Sequence, residues 1–202
     1  MILITGAARS GTSLTTEIFQ ACGANLGNVN KLSECGAVRD GIIKPYLTSV
    51  GADPMGQHPL PSTLALEPVP NFREKVTEAL GKDTNCYKGA KACLMWPVWH
   101  EAFPDAKWVI VRRPTWGIVD SCMRTSFMRA FTNRREWADW VAAHAYRFDQ
   151  MKRAGLDIVE VWPHSFIDGF DDQMKMAVEH CGLTWDAKVA RALINPEKFK
   201  QG

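Results

Sequence analysis

The residues with the plainest chemical potential stand near the start of the chain. Gly6 and Gly11 bracket Ala7, Ala8, Arg9 and Ser10, after the apolar run Ile2-Leu3-Ile4-Thr5 and before Thr12, Ser13 and Leu14. This is the glycine spacing of G-x-x-x-x-G-K-[ST], a turn whose backbone N–H groups wrap a phosphate at the start of a helix. The lysine of that pattern is absent: Thr12 fills its slot, and the nearest cation is Arg9, within the loop. A loop of this kind binds a phosphate-like anion but is poorly equipped for ordinary ATP chemistry.

Further cations fall where strands should end. A short strand near Asn85 to Lys88 leads to Lys88 and Lys91, and the apolar run Trp108 to Val111 leads to Arg112 and Arg113. A magnesium-dependent NTPase normally carries a metal-holding aspartate at such a position. Arginine instead offers a planar, permanently charged fork for phosphate oxygens. The set suits a polyanion neutralised by side chains, with no metal expected. Arg124, Arg129, Arg134 and Arg135 read as a solvated basic face, and His144 as a core histidine on an apolar helix stripe. The six cysteines contain no C-x-x-C pair and read as small buried hydrophobes, not metal ligands or nucleophiles.

These residues need a scaffold, and the periodicity supplies one. Helical spacing is predicted for Leu14 to Cys22, about 36 to 47, Phe72 to Leu80, Leu94 to Phe103, Pro114 to about Met128, and Asn133 to Met151. A last strand, Ile158 to Trp162, precedes a helix carrying Phe170, Met174, Ala177, Val178 and Cys181, and a short helix follows within Trp185 to Ile194. Alternating strands and helices imply βαβ units: an α/β, three-layer fold with a central, mainly parallel sheet flanked by helices. Ligands of such sheets bind beyond the carboxyl ends of the strands. With 202 residues, 46% of them hydrophobic, the chain fits one domain, 1–202, with a full core. The proline-broken segment 25–71 is expected to be irregular and to form a lid or acceptor-binding loop, with a surface insertion as the alternative.

A net charge of +2 argues against a nucleic-acid or membrane surface, so anion binding must be local. No apolar run is long enough to span a membrane, and a core strand at Ile2 leaves no room for a leader, which points to the cytoplasm.

Three stretches together resemble the sulfotransferases that use 3′-phosphoadenosine 5′-phosphosulfate (PAPS). Gly6 to Leu14 is similar to the family's P-[RK]-S-G-T-[ST] loop, with Ala8 where proline is usual. Ala106 to Pro114, continuing to Ser121, is similar to the strand, loop and helix that grip the 3′-phosphate. Val159 to Asp186, ending Cys-Gly-Leu-Thr-Trp-Asp, looks like the closing helix-Gly-Leu segment. The resemblance implies that Ala8, Arg9, Ser10, Gly11, Thr12 and Ser13 bind the phosphosulfate, with Arg9 on the bridging oxygen and sulfuryl group. It implies that an arginine and Ser121 bind the 3′-phosphate. The gap from Pro114 to Ser121 is one residue longer than in the common pattern, which leaves Arg112 and Arg113 as alternatives.

Several branches of the family place a catalytic glutamate after the first helix, and Glu34 is the best match. The histidine of the cytosolic branch is missing from Lys88-Gly-Ala-Lys91, so His58 and His100 are the fallback bases. Leu14 replaces that branch's tryptophan near adenine, leaving Trp162 and Trp116 as stacking candidates. The implied reaction is sulfuryl transfer from PAPS to a hydroxyl or amine of a small-molecule, glycan, lipid or peptide acceptor, yielding 3′,5′-bisphosphoadenosine (PAP). Lys88 and Arg9 would offset charge on the leaving phosphate. A P-loop small-molecule kinase and a catalytically inactive nucleotide-binding module are the alternatives; the oligomeric state is left open.

Overall fold

A computed structural model describes residues 1–194. Strands β1 (Ile2–Thr5), β2 (Cys86–Lys88), β3 (Lys107–Val111) and β4 (Ile158–Val161) form a sheet in the order β2-β1-β3-β4. Every neighbouring pair is parallel, with Leu3 opposite Tyr87 and Trp108, and Val109 opposite Val159. The helices are α1 (Thr12–Ala21), α2 (Gly36–Val38), α3 (Lys44–Ser49), α4 (Phe72–Leu80), α5 (Trp96–Ala102), α6 (Thr115–Arg124), α7 (Arg134–Arg153), α8 (Pro163–Ile167), α9 (Asp172–His180) and α10 (Ala187–Ala192).

Alternation along the strands sorts their side chains into two layers. Leu3, Tyr87, Trp108 and Ile110 pack with residues of the 36–50 segment, α4, α5 and the C-terminal half of α7. Ile2, Ile4, Cys86, Val109, Val111, Val159 and Val161 pack with α1, α8, α9 and α10. A strand covered on both faces is predominantly apolar, which is why Ile2–Ile4 of β1 and Trp108–Val111 of β3 read as unbroken hydrophobic runs. The α/β, sheet-between-helices expectation therefore holds. A third cluster, including Ala7, Ile118, Trp137 and Val141, joins α6 and α7 above the carboxyl end of the sheet.

Several boundaries differ from the predicted ones. The helix after β3 stops at Arg124, and residues 125–133 form a loop. Phe170 lies before α9 and is exposed, because the helix begins at Asp172. Most of 25–71 is irregular, but 36–49 is continuously helical, with the π-helical turn Arg39–Ile43 between α2 and α3. Residues 51–61 are anchored: Asp53 carboxylate oxygens accept from the amides of Met55, Gln57 and His58. The buried Gln57 side chain donates to Phe127 O and accepts from the amides of Arg129 and Ala130. No helix among the described residues is long and apolar enough to cross a membrane.

Candidate functional site

β1 ends at Thr5 and α1 begins at Thr12, so the glycine-bracketed loop sits at the carboxyl edge of the sheet. Gly6 is sterically required: a Cβ there would lie 2.5 Å from Val111 O and 2.7 Å from Ser10 Oγ. Gly11 caps α1 at φ 104°, in the left-handed region. Arg9 is held at φ 74°, and Ser10 N donates to Ala7 O at 3.1 Å, closing the turn. The first turn of α1 has no side-chain cap and no acidic residue. Its amides and the positive end of its dipole are thus available to an anion.

Arg9, Ser121 and Arg113 converge over this loop. Arg9 Nε donates to Ser121 Oγ at 2.8 Å, and Arg113 Nη1 donates to Arg9 O at 3.2 Å. Ser121 is buried on α6. Neither Arg9 nor Arg113 has a carboxylate at ion-pair distance among the described residues. Burial, and then repulsion from Arg9 and Arg124, depresses the pKa of Arg113. Two neighbouring guanidinium groups with no carboxylate at ion-pair distance among the described residues leave a local excess of positive charge beside the loop.

Arg112 takes the other direction. It pairs with Glu160 at 3.2 Å and lies over the rings of Phe148 and Trp162, at 5.2 and 5.7 Å from their centroids. The two consecutive arginines are therefore separated: Arg113 bonds to the loop at Arg9, while Arg112 already has a carboxylate. A cavity of about 210 Å³ adjoins both, lined by Ala7, Arg113, Thr115, Val141, Phe148 and Trp162 among others. Trp116 is 62% exposed and lies outside that lining.

On the other side of the loop, the buried Lys88 ends β2. Its ammonium donates to Glu34 Oε1 at 3.0 Å, Leu32 O at 3.0 Å and Ser13 Oγ at 3.4 Å. Glu34 Oε2 accepts from Arg39 at 2.6 Å, Arg39 also pairs with Asp40, and Asp40 with Lys44. Burial pushes the Glu34 carboxyl up, but Lys88 and Arg39 together outweigh it and hold its pKa below the ordinary value. Glu34 is thus an ionised carboxylate tied to the loop through one shared cation.

Two supports of this geometry escaped the sequence reading. Thr5 Oγ1 donates to Gly89 O at 3.0 Å and accepts from Cys93 N at 3.2 Å, fixing the turn that carries Lys88 and Lys91. Arg39 lies five residues after Glu34, and its role depends on the turn at Asn30–Glu34, where Asn30 Oδ1 accepts from Leu32 N and Glu34 N. An Asn followed by an acid and an arginine was the available signal for the second; a buried threonine gives none. Neither His58 nor His100 hydrogen-bonds to the loop, to Lys88 or to Glu34. His144 is buried, its Nδ1 is 2.9 Å from Trp140 O, and burial pushes its pKa down to about 4. Among the described residues no group of three or more His, Cys, Asp or Glu side chains could hold a metal ion.

The fold is α/β, and the carboxyl edge of its sheet carries the glycine-bracketed loop and a cluster of cationic side chains. No family model matches the sequence, and the search of curated proteins found no match. The structure is similar to the crystal structure of the sulfotransferase STF1 from Mycobacterium tuberculosis H37Rv, with a TM-score of 0.53 and 15% sequence identity. The superposition covers 95% of this chain and 70% of that one. At that identity the likeness is one of fold.

Proposed function

We propose that this chain is a PAPS-dependent sulfotransferase. The observation that carries the reading is the pair Arg9 and Arg113, without carboxylates among the described residues, over a phosphate-type loop that lacks the lysine of an NTPase. The shared fold with a sulfotransferase agrees with it.

The residues present fit such a donor. The amides of Ser10 to Ser13, at the start of α1, would hold the 5′-phosphate. Ala8 and Gly11 shape the turn, and Arg9 would face the sulfuryl group. Ser121 with Arg113, in preference to Arg112, would hold the 3′-phosphate, since Arg112 is engaged by Glu160. Trp162, at the wall of the cavity beside Arg113, would carry the adenine face. When bound, PAPS supplies a sulfuryl group whose bond to the 5′-phosphate oxygen breaks as a bond to the acceptor oxygen or nitrogen forms, leaving PAP.

Glu34 takes the acceptor proton in this reading. Its carboxylate is ionised, so it can accept, and its basicity is restrained by Lys88 and Arg39. Lys88 bridges Glu34 and Ser13, so the cation that steadies the base also offsets charge at the loop. Acceptor binding that loosens one of these contacts raises the proton affinity of Glu34 at the moment it is needed. The segment 25–71, which supplies Glu34 and Arg39, would form the acceptor side of the single domain.

Thermal unfolding with added PAP or Mg-ATP tests the donor. PAP should raise the melting temperature, because a ligand bound only by the folded state stabilises it. Stabilisation by Mg-ATP without PAP would overturn the proposal in favour of phosphoryl transfer. Stabilisation by PAP without transfer to any hydroxyl or amine acceptor would mark a nucleotide-binding module without catalysis.

A further inference from the structure

The charged residues around Glu34 do not balance. Glu34 serves Lys88 and Arg39, and Asp40 serves Arg39 and Lys44. Lys91 stands beside them with no hydrogen bond or ion pair among the described residues, although Glu34, Lys44, Arg39 and Asp40 all act on it electrostatically. Its backbone is fixed in the turn after β2: Leu94 N donates to Lys91 O at 3.0 Å. Its stem runs along Gly56, where a Cβ would meet Lys91 Cγ at 3.4 Å and Cε at 3.7 Å. The side chain is half-buried, yet the ammonium is not among the sealed, unpartnered polar atoms and keeps contact with solvent.

A lysine held this way loses hydration without gaining a counterion. Burial lowers its pKa, with Lys44 and Arg39 adding to the effect against the pull of Glu34. An oxyanion delivered by a ligand would supply what the protein withholds. The position matters as much as the charge: Lys91 follows the last residue of β2 by three, on the Glu34 side of the loop, away from Arg113 and Ser121. That is the side from which an acceptor would approach Glu34.

We propose that Lys91 binds an acidic group of the acceptor, so that the molecule sulfated carries a carboxylate, sulfate or phosphate besides its hydroxyl or amine. The proposal rests on the sulfuryl-transfer reading, and a PAP thermal shift tests that reading separately.

The test is a turnover screen with PAPS and acceptors in matched pairs. Each pair has one acidic and one neutral member, such as 4-hydroxyphenylacetate with 4-hydroxyphenylacetamide and a uronic acid with its parent sugar. Sulfonate and phosphate members of the same pairs distinguish the kinds of oxyanion. The acidic members should be favoured about tenfold or more in kcat/KM, the scale of one charge-assisted hydrogen bond. Lys91→Met should erase that preference through KM, Lys91→Arg should keep most of it, and both should bind PAP normally. Equal turnover of the two members, a preference that survives in Lys91→Met, or PAP binding without turnover of any acidic member would overturn the proposal. Failure of PAP to bind would instead remove the donor reading beneath it.

Discussion

Truncating Arg113 and Arg112 in turn, by Arg113→Ala and Arg112→Ala, should give opposite signatures. Arg113 donates to a carbonyl, has Arg9 as a neighbour and has no carboxylate at ion-pair distance among the described residues. Its removal takes away like-charge repulsion together with one modest hydrogen bond, so the ligand-free protein should melt within a degree or two of the parent. A charge-assisted hydrogen bond to phosphate contributes about 1.5–3 kcal/mol, so PAP affinity should fall roughly 10- to 150-fold. Arg112→Ala instead breaks an ion pair whose side chains are 23% and 29% exposed, along with two ring contacts. Screening limits the ion pair to roughly 1 kcal/mol, so the stability loss should be modest and PAP affinity should change far less than in Arg113→Ala. Calorimetric titration with PAP and with adenosine 5′-monophosphate, which lacks the 3′-phosphate, makes the comparison specific. Arg113→Ala should collapse the affinity difference between those two ligands. If Arg112→Ala collapses it and Arg113→Ala does not, the assignment built on the contacts of Arg9 with Ser121 and Arg113 is wrong.

Four further variants have expected outcomes. Arg9→Gly should abolish sulfuryl transfer while the protein still folds, since glycine accepts the positive φ of that position; near-normal turnover would remove Arg9 from the chemistry. Glu34→Gln should lower kcat strongly with PAP affinity retained, measured under saturating donor. Because the folded pKa of Glu34 is depressed, its stabilising effect is present above the unfolded value and is lost as pH falls through the folded one, so Glu34→Gln should flatten the stability profile there. Thr5→Val, nearly isosteric, strands Cys93 N, while Gly89 O keeps its bond from Ala92 N, and should cost about 1–3 kcal/mol in denaturant unfolding. His144 binds its proton less readily folded than unfolded, so stability falls as pH drops from 6.5 towards about 4; His144→Leu should remove part of that slope.

The sheet was legible because its strands are buried on both faces, and unbroken apolar runs such as Trp108 to Val111 have few other readings. The turn between β1 and α1 was legible because close backbone approach at Gly6 and positive φ at Gly11 call for glycine. The two arginines after β3 could not be told apart in sequence. Consecutive residues leave a strand towards opposite faces, and only the placement of Glu160 and Ser121 decides which one finds a carboxylate. The early end of α6 and the anchoring of 51–61 escaped for a related reason: Gln57 stabilises the 125–131 loop through three bonds made 70 to 73 residues away. Periodicity describes a residue's neighbours in its own element and is blind to such partners.

The contacts that make the site are almost all distant in the chain. Arg9 reaches Ser121 across 112 residues, Lys88 reaches Ser13 across 75 and Glu34 across 54. Loop closure on that scale must be met before such contacts can reward it, and parallel strands joined by crossovers already fold slowly. The site therefore needs the whole topology in place, whereas the 20-residue α7 needs only bonds within its own segment. In a refolding experiment helicity would return first and PAP binding last, so the ligand serves as a marker of completed topology, which a recovered circular-dichroism signal is not.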